Sequence, residues 1–235
     1  VVLGGDGTHR LVAHACGKIP MACISTGTNN AFPGNPEATI AGLAAGAVGR
    51  GLVTPDVVCH SNKRLCVRVN GQDTIPALVD VCITTDTQTG TRALWRSDRL
   101  RKLFLTFAEP GQVGLSSIGS LISPTTREDN NGLVIDIDPT AKEFKKLMAP
   151  IAPGLFEPVA ITNYEPISIN QKCVLDNSVG TLAYDGEREV TVFSGDRIEI
   201  ALDRRGPRTI DMTKTIENIA HSGLLINDDT LQSGR

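Results

Sequence analysis

The chain has 235 residues, enough for one large or two ordinary domains. Its apolar fraction of 40% and charged fraction of 21% are those of a globular protein, and its formal net charge of −3 gives no overall electrostatic basis for a nucleic-acid partner or an anionic membrane. No apolar run approaches the roughly 20 residues of a transmembrane helix, and six cysteines among aliphatic neighbours, with no CxxC and no zinc-spaced His/Cys pair, are expected as reduced thiols of a cytoplasmic protein.

Val1-Val2-Leu3 reads as the tail of a buried strand. Such a strand normally has βα units before it, so the native protein is expected to continue upstream. His9 to Cys16 suits a helix, Ile19 to Ile24 a short strand, and Glu37 to Val48 a close-packing helix of small residues. This alternation is an α/β signature and puts Asp6 and Thr28 in loops at the carboxyl ends of neighbouring strands, where open parallel sheets bind ligands.

From about Asp56 the pattern changes to short β-branched runs separated by Gly, Asn, Asp and Pro: RLCVRVNG, ALVDVCITT, GLVIDID, EPVAITN, PISINQ, REVTVFS and RIEIALD. Their spacing predicts an antiparallel, sandwich-like second domain. ALWRSDRLRKLFLTFAEPG interrupts it with helical spacing and is expected as a surface helix. DMTKTIENIAHSGLLINDD reads as a helix followed by a tail. The turn DRRGPR (Asp203 to Arg208) is basic, a solvated loop or a contact for anionic charge.

The chemistry concentrates in GGDGT (Gly4 to Thr8). Glycines let backbone N–H groups approach an anion at a helix N-terminus. A lone carboxylate would repel a phosphate unless Mg²⁺, or a hydroxyl to be deprotonated, lies between them. Neither a Walker A loop nor GxGxxG is present. His9, next along, is either a phosphate contact or a helix-surface residue.

GGDGT resembles the signature shared by NAD kinases and the diacylglycerol and sphingosine kinases. STGTNNAFPG (Ser25 to Gly34) resembles the second loop of the lipid kinases, and GTLAYDGERE their carboxy-terminal D-G-E segment. With the His after GGDGT and the wording of TNNAFPGNPEATIAGLAAG, the chain is most similar to the acetoin-catabolism protein X family. The resemblance implies an NAD kinase-like fold: the remainder of an α/β nucleotide-binding domain (residues 1–54), a β-sandwich domain (55–204) and a C-terminal segment returning to the first domain (205–235).

It also implies roles. Asp6 would stand beside the transferred phosphoryl group, and Gly4, Gly5, Gly7 and Thr8 would contact ATP phosphates. Gly27, Thr28, Asn29 and Asn30 would form the second wall of the nucleotide site. Asp185 and Glu187 would hold Mg²⁺ or act as base. Asp80 in ALVDVCI, with Val79 where NAD kinases carry Asn, and Thr89 and Gly90 in TQTGTRALW would face the acceptor. The implied activity is transfer of the ATP γ-phosphate to a hydroxyl, most simply that of NAD. A lipid or small-molecule acceptor, and a nucleotide sensor without catalysis, are the alternatives. Self-association is a further implication of the resemblance.

Overall fold

A computed structural model describes residues 1–85, 96–176 and 179–226, the side chains of 188 and 189 left aside. Strands β1 (Val2–Gly4) and β2 (Cys23–Ser25) pair in parallel, Val2 opposite Cys23, with helix α1 (Asp6–Cys16) between them in sequence. Gly17 ends α1 at φ 59°, a conformation that favours glycine. Helix α2 (Ala38–Gly49) starts at Glu37, whose carboxylate accepts the amides of Thr39 and Ile40. Ala41, Ala44 and Ala47 recur every third residue and form its buried face.

After helix α3 (Pro55–Val58) and strand β3 (Cys59–Ser61), the chain builds two facing sheets. Their strands are β4 (Arg64–Val69), β5 (Gln72–Asp73), β6 (Asp80–Thr84), β7 (Leu100–Leu105), β8 (Asn131–Ile137), β9 (Lys145–Ala152), β10 (Leu155–Ser168), β11 (Lys172–Asp176), β12 (Gly180–Tyr184), β13 (Glu187–Val192) and β14 (Arg197–Asp203). The larger sheet runs β13-β12-β6-β7-β8-β10-β9 and the smaller β11-β14-β4-β5, antiparallel throughout. Leu65, Val67, Ile198, Ile200 and Leu202 on the smaller sheet meet Val81, Phe104, Val134 and Leu182 on the larger. The opposite face of the larger sheet is covered by helix α4 (Ser116–Ile122) through Ile118.

Strand β15 (Arg208–Ile210) leaves the sandwich and pairs with β3, and Thr209 bridges to Met21 beside β2. Helix α5 (Met212–His221), capped by Asp211, sets Ile219 against Ala47, Val53 and Val58. Among the described residues no helix is long and apolar enough to cross a membrane.

Two sequence expectations are corrected. Of the helix expected over ALWRSDRLRKLFLTFAEPG, the described residues from Arg96 onward form a short 3₁₀ turn, Ser97–Arg99, followed by β7. β7 lies in mid-sheet with Leu103, Phe104 and Leu105 all buried. A strand buried on both faces loses its period of two and mimics a buried helix. EPVAITN and PISINQ are one fourteen-residue strand, β10, which pairs with β9 over its first half and β8 over its second. The internal Asn163 falls at a register shift between Ile161 and Asn163, and Pro166 lies in the half that pairs with β8 alone.

Candidate functional site

Gly4 and Gly5 carry the chain from β1 into α1, and Asp6 is the first residue of the helix. Its carboxylate reaches across to the loop after β2, accepting the amide of Ala31 at 2.9 Å on Oδ2 and that of Phe32 at 2.9 Å on Oδ1. Arg127 holds the other side of these residues, donating to the carbonyls of Ala31 (2.6 Å) and Phe32 (3.0 Å) while its guanidinium stacks on Phe107 at 4.1 Å. Asn30 donates to Ser25 Oγ at 2.8 Å. A methyl on Gly5 or Gly27 would lie 2.8 Å from the Asn30 amide group. Glycine is needed at both positions for Asn30 to pass between them.

The third segment arrives on a hairpin. Asp185 and Gly186, at φ 49° and 82°, are the two central residues of the turn joining β12 to β13. Asp-Gly with both φ angles positive is the pairing a type I′ turn prefers. The buried Asp185 carboxylate accepts the amides of Leu78 (3.1 Å), Val79 (2.7 Å) and Asp80 (3.1 Å). Arg10, buried on α1, stands 3.7 Å from Asp185 Oδ2 and lies over the Tyr184 ring. Asp80, at the start of β6, is 5% exposed, and its Oδ1 has no hydrogen-bond partner among the described residues.

Asp6, Asp80 and Asp185 line one cavity of about 60 Å³ with Asn29, Gly114 and Ser116. It is large enough to hold water. Burial raises all three carboxyls, and their mutual repulsion adds to it at Asp80 and Asp185. Asp80 rises well above the usual carboxylate range. Asp185 is pushed to about 7, against the opposing pull of the Leu78 and Val79 amides and Arg10. At Asp6 the Ala31 and Phe32 amides moderate the rise.

Among the described residues no three metal-ligating side chains converge as a cage. Asp6 and Asp185 give their oxygens to backbone amides, whereas Asp80 Oδ1 is a buried acceptor without a donor among the described residues. Asp80 Oδ1 is therefore the oxygen that a hard cation such as Mg²⁺ could take here without displacing a hydrogen bond among the described residues.

The remaining site residues read from the sequence do not all line this cavity. Thr8, Gly27 and Thr28 are exposed. Asn29 lines the cavity with a buried Oδ1 that has no partner among the described residues. Glu187 is exposed, its Oε1 3.0 Å from where a methyl on Gly7 would stand. Thr89 and Gly90 lie outside the described residues. Val79 packs with Leu78 and Phe107 in the core. His9 is wholly buried, its Nδ1 bonded to the Gly5 carbonyl at 2.8 Å, so it is not on the helix surface. Sequence reading missed Arg10, Arg127 and residues 113–116. Arg10 carried a weak signal, one helical turn beyond Asp6. Arg127 carried none, since its partners lie about 95 residues away.

Residues 63–205 match the family model described as the acetoin catabolism protein X C-terminal domain. Acetoin catabolism protein X of Cupriavidus necator is 37% identical over 229 residues, 96% of this chain, and the chain spans 64% of that relative's length. Among solved structures, yeast NADH kinase complexed with NADH aligns at a TM-score of 0.51 and 16% identity, over 97% of this chain and 65% of that one. An NAD kinase from Archaeoglobus fulgidus in complex with ATP gives 0.47 at 16% identity, over 96% and 82%. The likeness to the yeast enzyme is one of fold, which is NAD kinase-like.

Proposed function

The chain belongs to the acetoin catabolism protein X family, and on that premise we propose that it acts in acetoin catabolism as an ATP-dependent phosphotransferase, passing the γ-phosphate of Mg·ATP to a hydroxyl of NAD. The observation that carries this reading is the meeting of Asp6, Asp80 and Asp185, from three distant segments, around one small cavity beside a glycine-rich helix N-terminus.

Phosphoryl transfer asks a protein mainly for positioning and charge neutralisation. The first turn of α1, with Gly7 and Thr8, would receive the phosphates on its free amides. Asp80, with its unpartnered oxygen, and Asp185 would take the Mg²⁺ that accompanies them. Bound there, the ion would neutralise charge developing on the transferred group. Asp6, held by the Ala31 and Phe32 amides, would orient the acceptor hydroxyl and accept its proton. Arg10 keeps Asp185 in place from behind.

A second reading, nucleotide binding without transfer, is favoured by one feature: Asp6 and Asp185 are both engaged by backbone amides. The experiment that separates the two is NADP formation from Mg·ATP and NAD by the full-length protein, with Asp6→Asn as control. NADP produced by the wild type and lost in the variant supports transfer. ATP consumption without NADP moves the acceptor to a lipid or small polyol. Nucleotide binding without turnover supports the sensor.

A further inference from the structure

Far from the carboxylate cavity, the outer face of the smaller sheet forms a groove of about 470 Å³, a volume typical of small-molecule sites. Register explains its shape. Lys172, Ala201 and Cys66 lie in one row across β11, β14 and β4, while the flanking rows pair Glu199 with Arg68 and Asp203 with Arg64. Two small side chains thus form a floor between long charged ones. His14, from the end of α1, Thr74, Pro76 and Arg205 complete the walls.

The charge of this groove is opposite to that of the chain. Arg64 and Arg205 converge on the single carboxylate of Asp203 at 2.9 and 2.6 Å, Arg68 takes Asp73, and Arg197 takes Glu199. Lys172 has no ion pair among the described residues. Four cations, Arg64, Arg68, Lys172 and Arg205, therefore line the groove with three carboxylates, an excess of one positive charge within a chain of net charge −3. Cys66 donates its thiol to Asp203 and is kept protonated by burial and that neighbouring charge, so the floor offers no nucleophile.

The geometry points to a binding site here for a small polyanion, a di- or trianionic phosphate or carboxylate metabolite, held by Lys172, Arg205, Arg64 and Arg68 above the Cys66–Ala201 floor. The basic turn DRRGPR finds its use in this groove, through Arg205. A narrower recess that shares His14, Arg64, Pro76 and Arg205 continues inward to Arg10, the cation beside Asp185. Occupancy is thereby placed to influence the carboxylate cavity from behind.

Isothermal titration of the full-length protein with pyrophosphate and with citrate tests the site, repeated on Lys172→Ala/Arg205→Ala. Both side chains are exposed, Arg205 at 76%, so the variant is expected to fold. Saturable binding by either anion, weakened at least tenfold in the double variant and by added salt, is the expected result. The preferred anion tells phosphate from carboxylate chemistry. No binding to the wild type, or an affinity unchanged in the variant, overturns the proposal. Should the double variant fail to fold, Lys172→Glu alone gives the same reading.

Discussion

Asp6 and Arg127 grip the same two residues from opposite sides: the carboxylate takes the amides of Ala31 and Phe32, and the guanidinium takes their carbonyls. Neither partner is free to move without the loop. Arg127→Ala is expected to cost about 1–3 kcal/mol of stability, as for lost hydrogen bonds to a charged donor, and to weaken nucleotide binding about tenfold. Arg127→Lys keeps the charge but not the fork and should restore only part of both. Denaturant midpoints and ATP titrations check this. A stability loss with unchanged ATP affinity would make Arg127 a brace of the core alone.

Asn30 predicts a coupling. Gly5→Ala and Gly27→Ala each push a methyl against its amide group, and overpacking of this kind costs about 1–3 kcal/mol. Gly5 has an ordinary φ of −92°, so its penalty is steric rather than conformational. Removing the obstacle with Asn30→Ala should therefore recover most of the loss in the Gly5→Ala/Asn30→Ala double variant. Additive penalties in a double-mutant cycle would refute that account.

Asp80 is expected to trade stability for function. Asp80→Asn removes one of three clustered buried carboxylates and should raise the melting temperature of the free protein, by about 2–4 °C for each kcal/mol of relieved repulsion. The same change should lower any Mg·ATP-dependent turnover at least about a hundredfold, the scale of losing one electrostatic stabiliser. Calorimetry paired with an NADP assay reads both. An unchanged or lowered melting temperature would show that Asp80 is not repelled in the folded state.

The pH dependence of stability has two separable windows. The folded protein holds the protons of Asp6, Asp80 and Asp185 more tightly than the unfolded chain does. Their contribution is fullest below the ordinary carboxylate range and declines as pH rises, in the case of Asp185 until about 7. Asp203 has the opposite sign: hydrogen bonds from Arg64 and Arg205 outweigh its burial and hold it at about 2, so its contribution is present above pH 4 and lost as pH falls towards 2. Urea midpoints of wild type and Asp185→Asn between pH 4 and 8 should show a falling slope that is shallower in the variant. Parallel profiles would refute the assignment.

The sequence made the glycine loops legible because each is local: a strand end, a turn residue and a helix start lie within ten residues. The Asp-Gly turn of the β12–β13 hairpin was legible for the same reason. β7 was not, since burial on both faces erased the alternation that marks a strand. Nor was the clustering of Asp80 with Asp6, because only the antiparallel ladder between β6 and β12 brings the start of β6 beside residue 185. Arg127 shows the limit most plainly. Its backbone belongs to an ordinary surface turn, and only folding reveals the two aromatic rings and two carbonyls that receive its side chain.

The turn at Asp185 places two demands on one residue. Its left-handed backbone admits Asp or Asn far more readily than Glu, and its neighbours call for a side chain that accepts from three amides and faces an arginine. Asn would satisfy the bend and forfeit the charge; Glu would retain the charge and strain the bend. The two nearest chemical exchanges are therefore closed by different requirements. Drift at this position would have to alter the hairpin and the carboxylate cluster together.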